Sequence, residues 1–488
     1  MKVPLHLHDA DDRVTLAVFV QNLLWLVLAL NVLPPSGHIL YDEAFFYDRA
    51  VAVLHDGEFP VYGPPISYTD TAYTPGGGLY LLLAPAFLLT LNPEAGTAWV
   101  VLLTVAGNLI MDRALRAARY SWRLRLIIGT LLVWAEWHAR SADRIWNVSV
   151  FWLLSLVALA CCLRVAHRVG NQPLTWAVLG LTVATCLQVH LGAVLLAACC
   201  IILILAVQRR IPEAKYVAIA AACFALMYVP YLISDGMHGW ANLRHMAGGI
   251  PNASPPWTKV ARAAVAPFRY AANLAIAVDT NEVGLSQYPW PNQLQLLTVV
   301  VVFCAGFLHR SPLRWLAASL VPLILVYFLL NRRDVVDHYL SSIYTTSLIC
   351  FALGLDYMAD KSGLKNGCLY AFLAVWSVYG TVQWLNHYVP HARGSEASAA
   401  RRLEAVAALA QRGHMYSLEP STNQPFPDGE NFVYHILTKR LYGFTPGFRD
   451  ERTGEVWRID FGRATRPGER ELAQGSHYYP VPVEHVSN

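Results

Sequence analysis

The chain has 488 residues, 55% of them hydrophobic and only 14% charged, with a formal net charge of +4. That composition excludes a soluble globular chain, and so small a charge over this length gives no electrostatic footprint for nucleic acid. A membrane-crossing helix needs about 20 apolar residues. Repeated runs of that length, without short alternating strands, point to helices and not to a β-barrel.

In chain order, Val14–Leu33 reads as the first span, and no small-residue cleavage signal follows it, so it is expected to remain as an anchor. A long polar loop follows, residues 34–97. Within it Glu43–His55 has helical periodicity, with Ala44, Val51 and Leu54 on one side, and is expected to lie along the membrane surface. Gly78–Leu91 is apolar but short and contains Pro85, which suits a partly embedded helix of the same loop. The second span, Ala98–Leu115, ends in Arg113, Arg116, Arg119, Arg123 and Arg125, which the positive-inside rule assigns to the cytoplasm. Leu126–Trp137 and Val148–Val165 are the third and fourth spans. Leu174–Val207 is too long for one span and is split at Gln188–Gly192. Tyr216–Ile233 then opens into a second outer loop, residues 234–292, in which Val260–Ala277 is an expected interfacial helix. Leu294–Leu308, Trp315–Leu330, Tyr339–Met358 and Cys368–Leu385 complete about eleven spans, with the N-terminus inside and the tail outside.

The expected fold class is therefore an all-α polytopic membrane protein with a small C-terminal α/β extramembrane domain. Residues 1–388 form the transmembrane domain and 389–488 the small outer one, with a helix at Ser395–Arg412 and strands at His414–Leu418 and Glu455–Phe461. All nine cysteines fall in apolar runs, which argues against a disulfide framework and against a cysteine zinc site.

Polar chemistry concentrates in His38–Tyr80, just after the first span. This stretch holds the adjacent pair Asp42-Glu43, further acids at Asp48, Asp56, Glu58 and Asp70, and a single Arg49. The pair has a bland explanation, with Asp42 capping a helix and Glu43 in its first turn. Its place at a membrane mouth favours a functional one. A carboxylate there can act as general base toward a hydroxyl, because the hydroxyl proton becomes acidic only as its oxygen bonds to the electrophile. Inverting sugar transfer works in this way, with the leaving group departing from the opposite face.

The segment YDEAFFYDRA (Tyr41–Ala50) after a first span, followed by TPGGGLYLLL (Thr74–Leu83), resembles the GT-C superfamily of membrane glycosyltransferases. The branch is that of the protein O-mannosyltransferases and lipid A aminoarabinose transferases. ARSADRIWNVSVFWLLSL (Ala139–Leu156), QVHLGAVLL (Gln188–Leu196) and RDVVDHYLSSIYTTSLICFALGL (Arg333–Leu355) resemble later family elements. The first loop departs from the family, since Thr74-Pro75-Gly76-Gly77 replaces a Lys/His-Pro-Pro-Leu motif.

The resemblance implies an inverting transferase that takes a sugar from a polyprenyl-phosphate donor to a hydroxyl acceptor in a lipid, glycan or protein. It would act at the periplasmic face of a bacterial inner membrane. Asp42 would be the catalytic base and Glu43 a positioning group. The lipid-phosphate leaving group needs charge stabilisation, and Arg332 and Arg333, which break the sign rule on the outer side, suit it. Headgroup contact is their bland alternative. Asp143 and Arg144 are a second acid and cation near the sugar, or a local ion pair. In branches of the family that use a divalent metal, this acid would be a metal ligand; no metal site is predicted. His190, His338 and Tyr73 are expected to contact substrate, and His138 lies near the same predicted face. The rival function is a transporter or flippase for a lipid-linked or polar substrate, for which Glu136, near the end of the third span, is the best support.

Overall fold

The computed structural model describes residues 10–37, 39, 41–66, 72–248, 264–269, 271, 290–330, 337–362, 366–394, 399–411, 433, 436–437, 440–442, 456–461, 470–473 and 476–481. Helix α1, Ala10–Ser36, is the first span. Helix α2, Tyr41–His55, runs from the acid pair to the end of the expected surface helix. A short antiparallel hairpin, β1 Tyr62–Pro65 and β2 Tyr73–Pro75, follows. Helix α3, Gly78–Leu83, then gives way at Pro85 to a 3-10 turn, Ala84–Phe87. Proline cannot donate to a preceding turn, so this apolar run stays too short to cross the bilayer.

Helix α4, Glu94–Ala117, and α5, Trp122–Trp134, are joined at the basic end, where Ser121 caps α5 by accepting from the Leu124 amide at 3.2 Å. The third expected span needs correction. It does not run through Trp137, because Ala135 is extended and a separate helix α6, Glu136–Ala142, starts beyond it. Helices α7, Phe151–Ala166, α8, Gln172–Val189, and α9, Val194–Gln208, follow. The break between α8 and α9 falls at His190, where the chain is extended before a single 3-10 turn, Leu191–Ala193. Helix α10, Ala214–Met237, leads to α11, Ala241–Gly248. Of the expected interfacial helix, only residues 264–269 and 271 are described, and they are helical. Next come α12, Trp290–Ala305, α13, Arg314–Leu330, a 3-10 segment Asp337–Ile343, α14, Tyr344–Lys361, and α15, Asn366–Gly394. Helix α15 shows no break near residue 388. The tail contributes α16, Ala399–Gln411, and three antiparallel strands, β3 Val456–Phe461, β4 Arg470–Ala473 and β5 Ser476–Val481, in the order β3-β5-β4. The strand expected at His414–Leu418 lies outside the described residues.

Among the described residues seven helices are long and apolar enough to cross a membrane. The chain is an integral, multi-pass helical membrane protein. In lipid the drive to pack helices comes from close contact and from polar pairing, not from burial out of water. Both are present. A Cβ on Gly180 of α8 would come within 2.2 Å of the Ala220 carbonyl oxygen of α10, so only glycine permits that crossing. Asn108 of α4 donates to Asn22 of α1 at 3.0 Å and accepts from the Trp152 indole of α7 at 2.9 Å, in a fully buried chain. Ser155 of α7 and Thr345 of α14 share a hydrogen bond at 2.7 Å. At the basic end, buried Arg125 is held by Asp112 at 3.0 Å and by Asp11 at 3.0 Å. Helix α1 is therefore pinned at that end, and its other end carries the acid pair.

Candidate active site

Helix α1 stops at Ser36, and α2 begins only five residues later, at Tyr41. Gly37 makes this turn possible. A Cβ there would lie 2.5 Å from the carbonyl oxygen of Asp143, so the end of α1 abuts the backbone that follows α6. The sequence thus brings Asp42-Glu43, in the first turn of α2, against Asp143-Arg144, about a hundred residues on. The first turn of a helix also favours carboxylates through its dipole.

Arg144 organises the cluster. Its Nε donates to Asp143 Oδ1 at 3.0 Å, and its Nη1 reaches Glu43 Oε1 at 3.4 Å. Its guanidinium also lies over the Trp146 ring, 5.3 Å from the centroid. Glu43 and Asp143 are both buried. Two buried carboxylates would repel each other without a cation, and Arg144 supplies it. Asp42 is different. It is exposed, and it takes part in no ion pair among the described residues. Desolvation by the surrounding protein nevertheless pushes its carboxyl above the ordinary aspartate value, while a hydrogen bond from Trp146 and the Arg144 charge pull the other way. One acid is left open and two are committed.

The floor beside Asp42 is built from the glycine run. Gly76 has a left-handed φ of +95°, and a Cβ on it would strike the Gln188 side chain at 2.4 Å. Gly78 donates its amide to Gln188 Oε1 at 3.0 Å, and the same Gln188 donates to the Met227 carbonyl of α10 at 2.8 Å. Gly77 between them packs on Pro60, so none of the three glycines has room for a Cβ. Just beyond them Tyr80 is buried against the Phe45 and Phe46 rings. Its hydroxyl has no hydrogen-bond partner among the described residues. Burial keeps it protonated, and it is close enough to Asp42 to feel that charge.

The hairpin stands over this floor. Tyr73 is exposed, with its ring against Tyr62 at 6.1 Å. Its backbone is held from both sides by Asn242 of α11, which accepts from the Tyr73 amide at 2.7 Å and donates to its carbonyl at 2.9 Å. Buried Asp235 in turn accepts the Asn242 amide at 2.9 Å.

The other expected site residues divide clearly. His190 stands at the α8–α9 break, and its Nδ1 is committed to accepting the Gly192 amide at 2.9 Å. Ser342 Oγ donates to the Gly192 carbonyl at 3.2 Å, which sets the Asp337–Ile343 turn beside it. Arg332 and Arg333 lie outside the described residues, and so does the side chain of His338. His138 is out of a substrate's reach. It is fully buried between the Trp25 and Trp152 rings, at centroid distances of 3.7 and 4.7 Å. Glu136 is held by Arg140 at 3.0 Å. Among the described residues no group of His, Cys, Asp or Glu is arranged to hold a metal. Arg144 occupies the place between Glu43 and Asp143 that a cation would need, so these carboxylates do not fit one.

Sequence inspection does not find four contributors. Trp146 lies within the segment singled out for Asp143 and Arg144, but nothing marks its indole as a partner of Asp42. Gln188 opens the segment singled out for His190, but nothing there marks it as the partner of the glycine run, and Asn242 carries no motif. Arg440, far out in the tail, binds Asp48 at 2.6 Å and Asp56 at 2.7 Å, so two of the loop's acids belong to a structural clamp. Tail residue Ala399 also donates its amide to the Gly37 carbonyl at 2.8 Å.

No protein-family model matches the sequence. No curated protein matches it either. Solved structures do. ArnT from Cupriavidus metallidurans bound to undecaprenyl phosphate superposes with a TM-score of 0.57 at 12% identity, covering 97% of this chain and 99% of that one. The apo form of the same protein gives 0.58 at 12% identity, over 96% and 98%. Identity this low speaks to architecture alone, and the architecture is shared over nearly the whole of both chains: the protein has the fold seen in ArnT.

Proposed function

We propose that the protein is an inverting glycosyltransferase, moving a sugar from a polyprenyl-phosphate carrier to a hydroxyl of a lipid, glycan or protein. The observation that carries this is the asymmetry of the acid cluster. Arg144 takes up Glu43 and Asp143, which leaves Asp42 as an open carboxylate at the mouth of the first span. Asp42 accepts the acceptor's proton as the acceptor oxygen bonds to the anomeric carbon. The bond from that carbon to the phosphate oxygen breaks, and the polyprenyl phosphate leaves as an anion. The likeness to an ArnT structure that holds undecaprenyl phosphate supports a carrier of that class.

Arg332 and Arg333 are assigned to the leaving phosphate. The described residues on either side of them, Leu330 and Asp337, support this. Helix α13 starts at Arg314, at the basic end, and so finishes at the Asp42 end, while the 3-10 turn after it abuts Gly192. Tyr73 lines the sugar side, and His190 shapes the wall through its turn. Eleven spans, with the basic end in the cytoplasm of a bacterial cell and Asp42 in the periplasm, account for the charge distribution. The tail, 389–488, is an outer domain fastened on α2 by Arg440.

The test is transfer from defined polyprenyl-phosphate sugars by the full chain in nanodiscs. Asp42→Asn is expected to lower transfer by about 10²–10⁴-fold. Unchanged transfer removes Asp42 as base. Movement of the lipid-linked sugar between leaflets without transfer, by the unaltered protein, turns the assignment to a flippase.

A further inference from the structure

At the far end of α1 from Asp42, the helix ends line an open hollow of about 440 Å³. An α-helix rises about 1.5 Å per residue, so the length of α1 separates the two places by about 40 Å. The cavity lies between the α4–α5 turn, the end of α7, the α12–α13 turn and the end of α14. Four cations line it, Arg119, Arg123, Arg310 and Lys361, against two carboxylates, Asp356 and Asp360. Both carboxylates are already committed to Arg123, at 2.5 Å and 3.6 Å, and His309 adds a second contact to Asp356 at 3.0 Å. Arg119, Arg310 and Lys361 have no ion-pair partner among the described residues, although all three face the same space.

Three unpaired cations in a hollow of ligand size make a site for a polyvalent anion. Its depth, at the ends of the spans, is that of lipid headgroups.

We propose that this cavity binds a phosphate group, carried by an anionic lipid of the adjacent leaflet or by a soluble compound. By the positive-inside rule the leaflet is the cytoplasmic one. The site is independent of the transfer reaction assigned above, and either can fail alone.

The test uses the full chain in phosphatidylcholine nanodiscs. One arm adds phosphatidylglycerol and counts retained copies by native mass spectrometry. The other adds inorganic phosphate and follows Tm. Each is run on the unaltered protein, on Arg310→Gln/Lys361→Gln, and on Arg209→Gln/Arg210→Gln, which removes equal charge outside the cavity. The cavity pair is expected to weaken retention by about thirtyfold, two cations' worth, with the outside pair unchanged. Loss confined to the phosphatidylglycerol arm identifies a lipid headgroup, and a phosphate-induced rise in Tm lost in the cavity pair identifies a soluble anion. Equal losses in the two pairs overturn the proposal. So does an unaltered protein that binds neither ligand, whatever the variants do.

Discussion

At the scale of single residues, the proposed transfer rests on how Asp42 is kept apart from its neighbours. Its carboxyl is raised by desolvation and lowered by the Trp146 hydrogen bond. A general base works only when deprotonated, so transfer is lost as pH falls through that pKa. Trp146→Phe removes a lowering influence, and the acidic limb of the transfer-against-pH profile is expected to move to higher pH. An unmoved limb would show that the indole does not act on this carboxylate. The same raised pKa has a consequence for stability. A folded-state pKa above the unfolded one means that the folded protein binds more protons between the two values, and stability falls as pH rises through that window. At neutral pH the Asp42 charge therefore costs stability. Asp42→Asn is expected to leave Tm unchanged or raised while transfer collapses, a combination that a merely structural aspartate would not show.

Among the elements, the glycine run and Gln188 decide how α3 meets α8. Gly78→Ala places a methyl 2.6 Å from Gln188 Oε1 and disturbs the bond that its amide makes. The expected cost is roughly 1–3 kcal/mol, read as a lower Tm. Adding Gln188→Ala should cost less in that background than alone, because the two residues are in contact. Strict additivity would separate them. Asn242 acts likewise on the hairpin, where one side chain grips both polar groups of Tyr73. The run TPGGG shows in the sequence as a flexible turn, but why glycines stand there does not. For Gly76 and Gly78 the reason is Gln188, and for Gly77 it is Pro60.

For the whole molecule, the two ends of the helix bundle are chemically opposite. Cations gather at one end, where Arg125 and the 440 Å³ cavity sit. Acids gather at the other, and there the tail closes on them. Arg440 spans 392 residues to reach Asp48 and joins it to Asp56. Arg440→Gln leaves both carboxylates without this cation. Its cost is expected to be roughly 1–3 kcal/mol, with the tail cleaved faster in limited proteolysis of the intact protein. An unchanged cleavage rate would mean that the clamp does not fasten the tail.

What the sequence determined by itself was the class of protein and its long helices. Apolar run length is a one-dimensional property, and lipid leaves the backbone of such a run little choice but helix. The sequence also singled out the segments of Asp42 and Arg144, which the structure brings into contact. Tertiary structure decided which acid stays open. Arg144 pairs with its neighbour Asp143 as a local ion pair, but its second partner is Glu43 and not the adjacent Asp42, where the Gly37 turn sets α1 against the Asp143 carbonyl. It also separated His138, sealed between two tryptophans, from the histidines of the same predicted face. The break at Ala135 and the Arg440 clamp are of the same kind. They depend on how helices rotate and meet, and no local pattern encodes that.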